Sequence, residues 1–347
     1  MRPLDAACSF TTTMKYYRDF TTPPNPAPER SSPACYRTFM LVMGVDENGM
    51  GPRLGPLVAT GCTLEISRYA RASLCDRGLR LGLTDSKETG GFSKMAFAES
   101  VALALLCAAD RQPPPITADE LLERAAPGTR SALGSRCPDA STSEQCWGVD
   151  LALPAFGGDA AHGEELLGKL VGRSSLRIVD VQSRLACAGL LNARLAQGKN
   201  KLDVDLELFE DLIESVRRQH GRPALVVCGM VGGIRDYASR FRSFSPERVR
   251  SLSGRRGQRR YAIDDLGEVR FEVDADARHL PVALASILGK YVRELAMRRI
   301  GEFYLRFDSD LLLASGYHDP VTTGFIRSTD RSRRRLSIAT DCFQRRA

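Results

Sequence analysis

The chain has 347 residues, 43% of them hydrophobic, and carries 49 Lys plus Arg against 42 Asp plus Glu, a formal charge of +7. That length and apolar content supply a sizeable globular core and exclude a disordered or fibrous chain. No stretch reaches the roughly 20 apolar residues of a membrane span, and the N-terminus lacks the apolar segment of a secretion signal, so a soluble cytoplasmic protein is expected. The ten cysteines, from Cys8 to Cys342, show no CxxC pair and no histidine at zinc-ligand spacing, as expected of reduced thiols.

Residues 1–38 are rich in Thr, Pro and Ser without apolar periodicity, which predicts a disordered tail or a start codon placed too early. From Phe39, FMLVMGVD reads as a buried strand, Gly49 to Gly55 as a turn broken by glycine and proline, and LVATGCTLEI as a second strand closing a hairpin. Met95 to Leu106 reads as a buried helix. The segment from about 107 to 170 is a poorly patterned insert, mostly loop, with one short helix near Asp119 to Ala125. A strand at Leu176 to Asp180, an amphipathic helix at Val204 to Val216 and an apolar strand at Ala224 to Cys228 follow.

Between Arg240 and Arg260 the chain is dense in arginine and reads as a loop, either solvated or facing an anionic partner. EVRFEVD is another strand, and Val282 to Phe307 a helix of roughly six to seven turns at 3.6 residues each. Strands and helices alternate after an opening hairpin, which predicts an α/β layered domain over 39–326 with a mixed central sheet flanked by helices. Residues 327–347 are expected to be a loose basic tail.

Asp46 and Glu47 end an apolar strand and are followed by Asn48-Gly49-Met50-Gly51. Adjacent carboxylates there can ligate hard divalent cations, while the glycines let a phosphate backbone approach; an ordinary acidic turn has the same pattern. Glu294 lies on one helical stripe with Ile287 and Tyr291, pointing inward, or pairs on the surface with Arg298 four residues on.

Taken together, GVDENGMGPRLGPLV at 44–58 resembles the opening signature of type 2 ribonucleases H, Asp-Glu-x-Gly-x-Gly followed by a Gly-Pro turn. LTDSKE at 83–88, DARHLPVALASILGKYVRE at 276–294 and GYHDPVT at 316–322 are similar to the family's later segments, in family order. The resemblance covers about residues 40–325 and implies a ribonuclease H-like fold with endonucleolytic hydrolysis of RNA in RNA–DNA hybrids, or in DNA containing ribonucleotides, by two Mg²⁺ or Mn²⁺ ions. It further implies a monomer.

Carried over residue by residue, the resemblance makes Asp46, Glu47 and Glu294 catalytic metal ligands. Gly49, Met50, Gly51, Lys87 and Tyr317 become nucleic-acid contacts, although Met50 stands where the family has arginine. A further ligand, an aspartate ending a central strand, falls on Gly229 in ALVVCGMVGG, or on Cys228 with a shifted gap. Three carboxylates would then face two divalent cations, and Cys228 is a poor substitute because Mg²⁺ prefers hard oxygen ligands. Two expectations follow: a divergent hybrid-cleaving nuclease in which Asp180, Asp236 or Asp274 moves in as the missing ligand, or a protein that binds hybrids without cutting them.

Overall fold

A computed structural model describes residues 39–83, 92–128, 144–172, 176–232 and 234–346, with the backbone alone at 92–94. Strands β1 (Met40–Asn48) and β2 (Leu57–Ile66) form the expected antiparallel hairpin, with Asp46 opposite Thr60. Helices α1 (Arg71–Arg80), α2 (Phe92–Asp110), α3 (Ala118–Ala125) and α4 (Ala160–Val171) follow. Next come β3 (Leu176–Ala186), α5 (Ala188–Ala196), α6 (Lys201–His220) and β4 (Ala224–Gly229).

The arginine-rich segment is not a loop throughout. It forms β5 (Val249–Leu252) and β6 (Gln258–Ile263), an antiparallel meander completed by β7 (Gly267–Glu272). Arginine stems suit the half-exposed edge of a sheet, and Tyr261 and Ile263 of β6 turn into the core. The sheet has seven strands in the order β3-β2-β1-β4-β7-β6-β5. Pairs β1/β4 and β4/β7 are parallel and the rest antiparallel, so the sheet is mixed and flanked by helices, as the alternation of elements predicts.

Side chains alternate across β1. Val42 enters a core shared with α2, α4 and the long helix α8 (Leu280–Leu305), while Met43 and Val45 enter a second core under α6. Gly44 lies against α8 itself: a Cβ there would stand 2.2 Å from the Pro281 carbonyl carbon, so only glycine lets the helix approach the strand this closely. A short helix, α7 (Ala275–Arg278), leads directly into α8.

The C-terminal segment expected to be loose instead packs. Helices α9 (Pro320–Ser328), α10 (Asp330–Arg335) and α11 (Thr340–Phe343) bury Phe325, Ile338, Cys342 and Phe343 with Leu54, Met297 and Tyr304. The apolar residues between the arginines supply the reason, and Arg333 lies over the Phe343 ring at 4.2 Å. The described part of the 107–170 insert holds a second helix, α4, besides the expected α3, and is anchored. Glu99 of α2 accepts the backbone N–H groups of Ala155, Phe156 and Gly158. Among the described residues no disulfide forms, and no helix is long and apolar enough to cross a membrane.

Candidate active site

Three parallel strands deliver their carboxyl ends to one edge of the sheet. Val45 pairs with Cys228 and Gly229 with Glu272, so Asp46, Gly229 and Glu272 stand in a row across β1, β4 and β7. Such an edge is where α/β sheets place ligands. A cleft of about 900 Å³ opens there against α7 and α8, lined among others by Asp46, Glu47, Gly49, Asp276, Lys290 and Arg293.

Burial raises the Asp46 carboxyl well above the usual carboxylate range, and the charges of Glu47 and Asp276 raise it further, while a hydrogen bond with the Ser286 side chain opposes them. Ser286 comes from the first third of α8, whose close approach Gly44 permits, and its carbonyl also accepts from the Asn48 amide at 3.3 Å. Asp276 takes its place from α7, where Ala275 is buried against Val227 and Val282. It is the acid that pattern reading left unassigned, although it opens the segment that matches the ribonuclease motif.

A second acid was also not foreseen. Asp205 of α6 is completely buried, and burial, then the charges of Glu47 and Asp46, hold its carboxyl well above the ordinary range. Cys228 is buried beside it and is pushed up in turn by burial, Asp205 and Asp46, so it remains a neutral thiol. A signal existed: Asp205 shares a helical stripe with Leu208, Phe209 and Leu212, positions that otherwise hold apolar side chains.

Of the other anticipated residues, Glu294 lines the cleft, but its carboxylate pairs with Arg293, and Arg298 pairs instead with Glu302. Gly229 lines the cleft next to Asp46. Tyr317 lines it too, 46% exposed, with the Arg293 guanidinium 4.6 Å from its ring centroid. Met50 packs against the core under α6, and Gly51 is exposed with open space where a Cβ would stand. Lys87 lies outside the described residues. Asp180 sits opposite Thr63, three places along β2 from Thr60, hydrogen-bonded by Gln182. Asp236 caps an exposed turn at Ala238. Of the three substitute acids, only Asp274 lines the cleft.

The glycine turn is held from the C-terminus. Arg345, buried, donates to the Gly55 carbonyl at 2.8 Å and to the Gly49 carbonyl, and its own N–H reaches the Arg53 carbonyl at 2.9 Å. Gly49 has φ +89°, and a Cβ there would lie 2.8 Å from Arg293 Nε, so turn, arginine and Tyr317 are mutually positioned.

The cleft offers the carboxylates of Asp46, Glu47, Asp274 and Asp276, the oxygen donors a hard divalent cation takes. Among the described residues no group of three or more His, Cys, Asp or Glu side chains is placed to hold a metal ion. The acids repel one another, which a shared cation would reverse.

No family profile and no curated protein matches the chain. Among solved structures, it is similar to ribonucleases H of types 2 and 3. These include ribonuclease HII of Archaeoglobus fulgidus, in its complex with PCNA, at 19% identity over 88% of this chain and 95% of that chain, TM-score 0.42. Ribonuclease H2 of Pyrococcus horikoshii gives 17% identity over 88% and 92%, TM-score 0.43. Bst ribonuclease HIII, in complex with Mn²⁺, gives 16% over 90% and 70%, TM-score 0.41.

Proposed function

We propose that the cleft binds RNA–DNA hybrid, or DNA containing ribonucleotides, and hydrolyses the RNA strand with the help of divalent cations. The reading is carried by one observation: Asp46 and Glu47, near the end of a central strand, line one cleft together with Asp276, Lys290, Arg293 and Tyr317. Support also comes from the four sequence segments that resemble type 2 ribonucleases H in order.

Asp46, Glu47 and Asp276 would hold Mg²⁺ or Mn²⁺. Asp276 is better supported than Glu294 as the third acid, since Asp276 acts on Asp46 while the charge of Glu294 is taken up by Arg293. Bound cations at such a site activate a water molecule and stabilise the leaving oxygen. Ser286 orients the Asp46 carboxylate from α8. Lys290 presents positive charge to phosphates, while Arg293, buried and paired with Glu294, is held in place by the Ser315 carbonyl at 2.9 Å and backs the ring of Tyr317. The exposed face of Tyr317 offers a stacking surface for a sugar or base.

A second reading, hybrid binding without turnover, is favoured by Gly229, which brings no carboxylate from β4. Single-turnover cleavage of a hybrid and of a duplex with one ribonucleotide, in Mg²⁺ and in Mn²⁺, separates the two. Metal-dependent cutting abolished by Asp46→Asn supports the nuclease. Salt-sensitive binding with no cutting selects the second reading, and absence of both ends the nucleic-acid assignment.

A further inference from the structure

We propose that Asp205 is a ligand of this metal site, entering from α6 and standing in for the carboxylate that β4 lacks at Gly229. The inference rests on the metal-dependent reading above and names one residue of it. Asp205 has 0% exposure between Val204 and Leu206, in the core shared with Val45 and Cys228. A buried carboxylate normally collects hydrogen bonds. Glu99 takes three backbone N–H groups and the Tyr291 hydroxyl, and Glu272 takes Gln258, whereas neither Asp205 oxygen has such a partner among the described residues.

Strand alternation says which way the site lies. Met43 and Val45 of β1 face the α6 core, so Glu47, two residues on, belongs to the same face, as does Cys228 on β4. The charges of Glu47 and Asp46 act on Asp205, and Asp205 acts on the Cys228 thiol. The space above Gly229 is filled by Asp46 itself: a Cβ at 229 would stand 2.8 Å from Asp46 Oδ1 and 3.5 Å from Glu47 Oε2. With the β4 position empty of side chain, the fourth negative charge comes from the helix below. Asp46, Glu47, Asp276 and Asp205 then balance two divalent cations.

The test measures Mn²⁺ binding to the full chain by the loss of the free-ion electron paramagnetic resonance signal, with no substrate present. Wild type, Asp205→Asn, Asp46→Asn, and Asp205→Asn combined with Gly229→Asp are compared, with near-ultraviolet circular dichroism reporting the fold. Asp205→Asn is expected to keep the fold and weaken Mn²⁺ binding at least about tenfold, and Gly229→Asp in that background to restore it towards wild type. If Asp205→Asn binds like wild type while Asp46→Asn does not bind, Asp205 is not a ligand and the metal site stands without it. If wild type takes up no Mn²⁺, the metal-dependent reading falls and this proposal with it. Should Asp205→Asn disturb the fold, Asp205→Ser is measured instead, and wild-type affinity there overturns the proposal equally.

Discussion

Gly229 and Asp46 share one space: the carboxylate of Asp46 occupies the volume into which any side chain at position 229 would grow, 2.8 Å from an added Cβ. Gly229→Asp therefore forces Asp46 to turn, and with Asp205 present it places five acids where four suffice. We expect this substitution alone to change hybrid cleavage by less than tenfold, while Asp205→Asn lowers it by about 10² to 10³, the scale of one lost transition-state interaction. Single-turnover rates at saturating Mn²⁺ check both values. A large gain from Gly229→Asp in the wild-type background would mean that the site is short of a carboxylate and that Asp205 does not fill the gap.

Arg345 connects the C-terminus to the glycine turn. Arg345→Met keeps the buried stem and removes the donors to the Gly49 and Gly55 carbonyls. Leaving buried acceptors unpaired costs about 1–3 kcal/mol, so the midpoint of urea unfolding should fall by a corresponding amount. Hybrid affinity should weaken as well, because Gly49 packs on Arg293 and Arg293 on Tyr317. Unchanged stability would show that the turn holds itself.

The parts of this fold that can be read from sequence are those where burial and pattern coincide. β4 and the first part of β1 are apolar runs, β2 is buried along its whole length, and the first half of α8 is mostly apolar where it packs between the sheet and α2. The meander β5–β6 is hidden by its arginines, whose charged ends mask a buried Tyr261 and Ile263. At the site, Asp46 and Glu47 are legible because two acids end a strand at a glycine turn. Asp205 is not, because an acid on an apolar helical stripe looks like a break in the pattern, and only the packing of α6 under β1 and β4 gives it a role. Asp276 and Glu294 lie in the same matched segment, and which of them acts on Asp46 depends on the turn from α7 into α8.

Acid sensitivity has a defined window. Burial would raise Glu268, but the guanidiniums of Arg260, at 2.5 Å, and Arg270, at 2.8 Å, bring it down to about 2. Glu272, with His279 Nε2 at 3.3 Å and a hydrogen bond from Gln258 at 2.6 Å, is also lowered to about 2. An unfolded glutamate titrates near about 4.3, so these groups contribute their stability in full above that pH and lose it as pH falls from there towards about 2. Asp46 and Asp205 act in the opposite sense: raised in the fold, they cost stability as pH climbs above the unfolded carboxylate range. Thermal unfolding between pH 2 and pH 5 should therefore be less pH-dependent in Glu268→Gln than in wild type. Asp205→Asn should raise the melting temperature of metal-free protein at pH 7. An unaltered acid slope in Glu268→Gln would remove Arg260 and Arg270 as its origin.

The arginines between 240 and 260 are mostly engaged within the chain, and this limits what they can give to a nucleic acid. Arg240 pairs with Asp203 at 2.8 Å, Arg242 with Glu207 at 3.3 Å, Arg248 with Asp265 at 3.8 Å, Arg255 with Glu272 at 3.5 Å and Arg260 with Glu268 at 2.5 Å. Arg259 donates to the Arg235 and Gln258 carbonyls. Arg250 and Arg256 are exposed and make no ion pair among the described residues. Each phosphate neutralised by a side chain contributes about −0.9 to the slope of log affinity against log salt on B-form DNA. The double substitution Arg250→Ala with Arg256→Ala should thus flatten the wild-type slope by at most about 2, and Lys290→Ala in the cleft by about 1. Arg240→Ala should leave the slope nearly unchanged, since that side chain already neutralises Asp203. Fluorescence anisotropy of a labelled hybrid over a salt series gives all four slopes. If Arg240→Ala flattens the slope as much as the exposed pair does, the ion pairs open on binding and the whole arginine run faces the nucleic acid. A wild-type slope near zero would leave the cleft without a polyanionic ligand.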